Sequence, residues 1–195
     1  MVQKTDLLDA IAPTNRGLLT SPEQNQDILT KVARLEARNP TPNPLGALDL
    51  LNGNWQLLYT TSSELLGIDR FPLCSLGNIY QCVRVEQQRI YNLAEVQSVL
   101  GGLVSVTATF EPVSEKRVNV RFDRAIFGLQ STLAYQDPNQ FIEAMQQTDK
   151  FNLLKGIDFT ISSNRDPGWL EITYLDNSMR IGRGNQGSVF VLRKV

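Results

Sequence analysis

Asp176, Arg180 and Arg183 have the clearest chemical potential in the sequence, since they stand between two apolar runs at residues 169–175 and 188–192. A carboxylate close to a guanidinium forms either an acid–base couple or an ion pair. Because a neighbouring arginine lowers the pKa of a carboxylate, such a group is a poor proton acceptor near neutral pH. We therefore expect these three residues to form a structural polar cluster that fixes the register of a barrel-closing hairpin.

Three glycines in the same segment, Gly182, Gly184 and Gly187, match the GxGxxG pattern of dinucleotide-binding sites. That site needs a helix after the glycines and a further βαβ unit to receive the cofactor. Here an apolar strand pattern at residues 189–192 follows instead. We interpret the glycines as positions of positive φ or of close backbone approach between strands.

The sequence contains no histidine, which excludes Ser-His-Asp and Cys-His machinery and any imidazole metal site. Its two cysteines, Cys74 and Cys82, are too few for a zinc site, and we expect them to be free thiols in packed positions. We therefore expect no metal, no cofactor and no catalytic residue.

The composition of the chain argues against further classes of protein. The chain of 195 residues has a net charge of −1, with 42% hydrophobic and 20% charged residues. The scattered charges argue against a nucleic-acid partner. No apolar stretch reaches the roughly 20 residues that span a bilayer, and the N-terminal segment lacks signal- or transit-peptide composition. We expect an intracellular protein.

Two helices are predicted before the strands. A first helix at residues 4–12 has apolar residues on one face. A second begins with Ser21 as N-cap and Pro22 at the first helical position, and it ends near Arg38. The proline-rich segment at residues 39–44 is predicted to be an extended linker, because proline restricts the backbone of its neighbours.

The remainder of the chain alternates between apolar and polar residues in short segments with turn signals between them, which favours an antiparallel barrel or sandwich. We predict a mainly β fold, an antiparallel barrel of about eight to ten strands whose interior is filled or holds one small apolar ligand. A single domain would then combine the helices and linker of residues 1–46 with a barrel at 53–195. Residues 125–135 are apolar but irregular, and residues 140–154 show no clear pattern. The predicted strands are 54–61, 79–85, 91–99, 103–111, 117–123, 156–162, 169–175 and 188–192.

The motif Gly53-Asn54-Trp55 at the head of the first strand matches the Gly-x-Trp found in lipocalin-like barrels. In such barrels the tryptophan closes the floor, and an arginine from the final strands lies on its face as a cation–π partner. Arg180, Arg183 and Arg193 are the candidates for that arginine.

Aromatic residues recur at strand positions and are candidates for the lining of a ligand cavity. The same strands carry hydroxyl side chains, which a cavity tolerates better than a solid core. A solvent-facing side of the barrel would explain the same mixture. The candidate ligand-binding residues are Trp55, Tyr59, Phe110, Phe122, Phe127, Tyr174 and Phe190.

Three segments together resemble the plastid lipid-associated proteins, also called fibrillins: GNWQLLYTTS (53–62), GNIYQ (77–81) and TYLDNSMRIGRGNQGSVFVLRK (173–194). The last is similar to the family's Tyr-Leu-Asp…Arg-Ile-x-Arg-Gly-x-x-Gly-Ser-x-Phe-Val-Leu signature. Gly182 stands where the family more often has serine. The resemblance covers nearly the full chain, residues 140–154 excepted.

This resemblance implies a lipocalin-like β-barrel that associates peripherally with lipid bodies and photosynthetic membranes. It also implies a hydrophobic small-molecule or lipid partner, with carotenoids, prenylquinones and fatty acids as candidates. Because Met1 leads directly into the first helix, we favour a cyanobacterial member, cytoplasmic or peripheral on the thylakoid, over a mature plastid form of the stroma or plastoglobule.

Three functions stay open. We favour a non-catalytic binding protein for a lipophilic molecule, which an internal cavity of several hundred cubic ångströms would support. A solid interior would instead indicate a structural coat protein of lipid bodies or thylakoids. A lipid isomerase or cyclase is the third, and it would need an ionisable residue with a perturbed pKa on the cavity wall.

Overall fold

The structure is a computed structural model and describes residues 3–62, 75–162 and 166–195. Its helices are α1 (Lys4–Ile11), α2 (Pro22–Glu36), α3 (Leu48–Leu51) and α4 (Pro138–Gln146). Its strands are β1 (Gly53–Thr60), β2 (Ser75–Arg84), β3 (Arg89–Gln97), β4 (Gly102–Pro112), β5 (Arg117–Leu129), β6 (Ile157–Thr160), β7 (Gly168–Leu175), β8 (Met179–Gly184) and β9 (Val189–Lys194).

The two predicted N-terminal helices are confirmed. Ser21 Oγ accepts a hydrogen bond from the N–H of Gln24 at 3.2 Å, and the Gln24 side chain accepts one from the N–H of Ser21 at 3.0 Å. This reciprocal capping box satisfies two N–H groups that an uncapped helix would leave without partners. Pro22 follows at the first helical position, where its missing N–H costs nothing.

The predicted antiparallel β-barrel is also confirmed. Among the described residues, eight strands close in the order β1–β2–β3–β4–β5–β7–β8–β9, and β9 pairs with β1. Closure leaves these strands without a free edge along the circuit. The ninth described strand, β6, lies outside that circuit.

Strand β5 changes its partner partway along its length. Residues 117–120 pair with β7, whereas residues 124–127 pair with β6. Both partners use the same edge of β5, because β4 occupies the other edge throughout. The wall of the barrel therefore divides at this point, and the second half of β5 continues into β6 instead of into the closed circuit.

Two regions without a clear sequence pattern have regular structure. The apolar segment at 125–129 continues β5, after a bulge at which Thr107 pairs with Arg124 and Ala108 with Phe122. The bulge breaks the alternation of faces, which is why the segment looks irregular in the sequence. Residues 138–146 form α4, with the side chain of Asp137 as N-cap and Pro138 at the first position. The proline thus begins a helix and does not merely end the preceding segment.

The closing segment is a three-stranded meander, so the predicted hairpin is wrong. Strand β8 lies between β7 and β9, and both arginines are on a strand. The glycines on β8 allow close packing, because a Cβ on Gly182 would lie 3.3 Å from Leu170 Cδ1. The positive φ predicted for these glycines is confirmed at Gly187, whose φ is 73°.

Buried apolar residues form three clusters, one inside the barrel and two on its outer faces. The interior cluster surrounds Trp55 and includes residues from α3 and most strands. On one outer face, α1 and α2 pack against β1 and β7–β9. On another, α4 packs against β2–β5. Strands covered on both faces account for the long apolar runs in the sequence.

Candidate functional site

Trp55 lies in the barrel interior and is fully buried. Its indole Nε1–H donates a 2.9 Å hydrogen bond to the carbonyl of Leu51 at the end of α3. Helix α3 packs Leu50 and Leu51 against the interior cluster and so closes this end of the barrel. The guanidinium carbon of Arg180 lies 5.0 Å from the centre of the ring, and Lys194 Nζ lies 5.3 Å away. The predicted cation–π contact is confirmed, with Arg180 as the arginine.

A chain of polar side chains continues from Arg180 across the interior wall. Arg180 Nη2 donates to Gln81 Oε1, Gln81 Nε2 donates to Asn92 Oδ1 at 3.1 Å, and Asn92 Nδ2 donates to the carbonyl of Val106 at 3.2 Å. The strand register brings these groups together, because Trp55 lies opposite Gln81 and Gln81 lies opposite Asn92. Opposite residues of neighbouring strands share one face of the sheet.

Arg180 carries a charge that the barrel itself does not balance. Its surface is only 2% exposed, and burial lowers its pKa to about 9, so the guanidinium stays charged at neutral pH. Within the described residues, no interior-facing strand position carries Asp or Glu, and none of the ion pairs includes Arg180. A buried ion without a counter-charge is costly to keep.

Interior-facing side chains are exposed to solvent where β5 pairs with β6, on the side of the barrel across from β1. Phe122 and Phe127 face the interior, since they lie opposite Ala108 and Val104 of β4. They are nevertheless 45% and 40% exposed. Phe127 also stacks on Phe159 of β6, with ring centres 6.0 Å apart. We call this exposed interior surface of Phe122, Phe127 and Phe159 the aromatic mouth.

The predicted pair between Asp176 and Arg180 is wrong. Arg180 points into the barrel, whereas Asp176 accepts hydrogen bonds from Lys4, from the Tyr174 hydroxyl at 2.7 Å and from the N–H of Ser178 at 2.8 Å. Burial favours a higher pKa for Asp176, but these bonds outweigh it and lower the pKa to about 2. Such a carboxylate is a poor proton acceptor at neutral pH. The geometry therefore favours the expected structural role of Asp176 over a catalytic one.

Arg183 does not join the other two residues either. It donates to both carboxylate oxygens of Glu36 on α2, at 2.8 and 2.7 Å, and this bidentate bond raises the pKa of Arg183. Thr173 Oγ1 donates to the same carboxylate at 2.6 Å. The expected single cluster is therefore divided: Asp176 holds α1, Arg183 holds α2, and Arg180 belongs to the interior.

The seven candidate aromatic residues do not share one surface. Tyr59 and Tyr174 lie on the outer face under α1 and α2, so their placement in a cavity lining is wrong. The alternation of a strand cannot identify its inner face when both faces are covered. By the strand register, the residues that face the interior are Trp55, Phe110, Phe122, Phe127 and Phe190.

The sequence prediction did not single out the polar interior residues Gln81, Asn92 and Lys194. A signal was present, because Gln81 and Asn92 each interrupt an alternating apolar face of their strand. Cys82 lies on the opposite face under α4, where burial raises the pKa of its thiol to about 12. That environment fits the expected packing role. Cys74 is outside the described residues.

A pocket of about 610 Å³ lies on the outer face beside α4. Its wall includes Arg89 and Asp123, which pair at 2.7 Å, and Arg124, which pairs with Asp158 at 2.6 Å. These charged side chains pair with one another, so they are not available to bind a charged ligand in the pocket. Across residues 3–62, 75–162 and 166–195, no group of three or more acidic or cysteine side chains could hold a metal ion. No helix among these residues is long and apolar enough to cross a bilayer.

Comparison with known proteins identifies the family. Residues 1–193 match PAP_fibrillin. The chain belongs to this family. It is 36% identical to the light-induced protein, chloroplastic, of Solanum tuberosum, over 98% of this chain and 66% of that protein. It is 33% identical to the chromoplast-specific carotenoid-associated protein of Cucumis sativus, over 98% of this chain and 67% of that protein. It is 32% identical to the probable plastid-lipid-associated protein 2 of Arabidopsis thaliana, over 98% of this chain and 70% of that protein.

The chain spans about two thirds of the length of these relatives. No solved structure matches it significantly. For this PAP_fibrillin protein, the structure divides the closing signature into two parts. Arg180 and Gly182 face the barrel interior, whereas Asp176 and Arg183 attach the N-terminal helices to the outer wall.

Proposed function

We propose that this PAP_fibrillin protein binds a lipophilic small molecule in its barrel interior without catalysing a reaction, and that it works at photosynthetic membranes or lipid bodies. The aromatic mouth carries the proposal. Phe122 and Phe127 are on the inner face of the barrel wall, and Phe159 continues that face on β6, yet solvent reaches all three. An apolar concave surface of this kind is typical of a ligand entrance.

The chemistry of the interior supports an apolar ligand with a polar end. Aliphatic and aromatic residues face the interior, and Arg180, Gln81 and Asn92 supply a few convergent polar groups. One relative is named carotenoid-associated and another plastid-lipid-associated, which favours a carotenoid or another lipid as the ligand. We add a prenylquinone and a fatty acid as candidates of the same apolar kind. A completely filled coat protein would gain nothing from exposed interior phenylalanines, so we favour the binding protein.

A second surface supports peripheral membrane contact. Four large apolar residues project from two neighbouring loops: Val99 and Leu100, and Leu153 and Leu154, with the last two 86% and 89% exposed. We call these four residues the apolar rim. Apolar side chains concentrated at one place on a surface often mark a site of lipid or protein contact.

Both loops of the apolar rim attach to the same end of β5. The N–H of Gln130 donates to the carbonyl of Gly101 at 3.2 Å, and Thr132 Oγ1 donates to the carbonyl of Lys155 at 2.7 Å. Lys150 and Lys155 flank the second loop and carry charges that anionic lipid head groups attract. Since the aromatic mouth is formed by this half of β5, a ligand could pass between membrane and barrel there.

Fluorescence titration tests the binding proposal. A carotenoid and a prenylquinone added to the full chain should quench the emission of Trp55 and Trp169 in a saturable manner. Phe127→Ser at the aromatic mouth should weaken binding, whereas Leu19→Ser, which changes an exposed leucine of the N-terminal part, should not. Absence of saturable quenching by a carotenoid, by a prenylquinone and by a fatty acid alike would overturn the proposal.

A further inference from the structure

We propose that the barrel interior binds a long-chain carboxylate, with Arg180 as the ion-pair partner of its head group. This inference rests on the proposed lipid-binding function and names the ligand class. It follows from a charge that the described residues leave unbalanced and from an apolar path that leads away from that charge to the aromatic mouth.

The unbalanced charge is the first step. Within the part of the chain that the structure describes, the Arg180 side chain makes one hydrogen bond, from Nη2 to Gln81 Oε1. A guanidinium carries five N–H donors in a fork that matches the two oxygens of a carboxylate. The contact with Trp55 is weaker than the cost of removing an ion from water, so it does not replace a counter-ion.

The polar groups next to Arg180 carry no negative charge, so the place beside its guanidinium suits an anion. Gln81 turns its carbonyl oxygen to Arg180 and its amide nitrogen to Asn92, so its orientation is fixed by both partners. Lys194, the other cation near Trp55, is already occupied, because its ammonium donates to the carbonyls of Asp49 at 3.1 Å and Leu50 at 2.7 Å. Among the described residues, the Arg180 guanidinium has no carboxylate partner, and a monoanionic head group would match its single charge.

An apolar path connects this position with the aromatic mouth. In the strand register, Asn92 lies opposite Val106, Val106 opposite Ala125, and Ala125 opposite Phe159. These residues form one row on the inner wall, with neighbouring strands about 4.8 Å apart. An acyl chain along this row would start at the hydrogen-bonded side chains of Arg180, Gln81 and Asn92 and end at the exposed phenylalanines. A neutral carotenoid or quinone in the same place would leave the Arg180 charge unpaired.

The test compares two ligands with the same acyl chain, one with an ionised carboxylate and one with an uncharged methyl ester. Binding of oleate and of methyl oleate to the full chain is measured by calorimetry and by tryptophan quenching. Wild type should bind oleate at least about tenfold more tightly than the ester, as expected for one charge-assisted hydrogen-bonded pair. Arg180→Met should bind both equally, and Arg180→Lys should keep part of the preference. Arg183→Met, on the same strand but outside the wall, should keep all of it.

The outcomes separate this inference from the proposed function. Equal affinity of wild type for oleate and methyl oleate, or a preference that Arg180→Met retains, would overturn the role of Arg180 while leaving lipid binding intact. Absence of saturable binding for oleate, its ester and a carotenoid would overturn both. If Arg180→Met does not fold, the ratio of affinities in wild type and in Arg180→Lys decides the question.

Discussion

Arg180 on β8 and Trp55 on β1 meet inside the barrel, with the guanidinium carbon 5.0 Å from the ring centre. Strand β9 lies between their strands, so the contact joins the first strand to the closing segment across a third one. The same tryptophan is bonded to α3 through Leu51. Trp55 therefore links the closed end of the barrel to its first strand and to β8.

Replacement of Trp55 should destabilise the protein strongly. Trp55→Ala removes a fully buried ring and its hydrogen bond to Leu51, and we expect a loss of about 3–5 kcal/mol in the free energy of unfolding. Trp169→Ala is the matched control, because that ring is partly exposed and contacts Arg117 from outside. Urea unfolding followed by circular dichroism measures both. Equal losses for the two variants would contradict a special role for Trp55.

The carboxylate of Asp176 should make stability depend on acid pH. Its pKa in the folded protein is about 2, below its ordinary value of 3.8, so it contributes stability that is complete above pH 4 and is lost as the pH falls to 2. Because the site is partly exposed to solvent, we expect a contribution of about 1 kcal/mol. Asp176→Asn should lower the unfolding free energy at pH 7 and match wild type near pH 2.

The control for this experiment is Asp9→Asn, which changes an exposed carboxylate of α1. It should leave the pH profile of stability unchanged. A constant difference between Asp176→Asn and wild type from pH 7 to pH 2 would show that the bond from Lys4 contributes nothing through charge.

Local signals in the sequence were sufficient for several elements. Ser21 and Pro22 specify the start of α2 through side-chain and backbone chemistry that needs no tertiary partner. The Gly-x-Trp motif and the closing arginines led to the contact between Trp55 and Arg180. Alternation placed most strands within a few residues, because a strand with one buried face must alternate.

Other features depend on tertiary structure that a linear pattern does not contain. Asp176 and Arg180 are close in sequence, but the turn before β8 puts them on opposite sides of the barrel wall. Strand β8 has two glycines and two arginines, which resemble a loop until both neighbouring strands pair with it. Helix α4 has only nine residues, and the outer face that Phe141, Ile142 and Met145 cover is formed by strands distant in the sequence.

Helix α4 should protect Cys82 from chemical labelling. The thiol is buried beneath Phe141 and its neighbours, and burial raises its pKa to about 12, so little reactive thiolate forms at pH 8. In a Cys74→Ser background, a maleimide should label Cys82 slowly in the folded protein and quickly in urea. Phe141→Ala should lower stability by about 3–5 kcal/mol and accelerate labelling, whereas the exposed Glu143→Ala should do neither. Fast labelling of folded wild type would contradict this packing.

The apolar rim should control the attachment of the protein to membranes. Leu153 and Leu154 are almost fully exposed, and burial of each in a lipid surface is worth roughly 1.5–3 kcal/mol. We therefore expect the double variant Leu153→Ser/Leu154→Ser to reduce binding to vesicles of phosphatidylcholine and phosphatidylglycerol by at least about tenfold. Sedimentation with the vesicles measures the bound fraction. The double variant Leu19→Ser/Leu48→Ser removes two other exposed leucines and should bind like wild type. Equal reduction in both double variants would mean that the lipid contact is spread over the surface and is not located at the apolar rim.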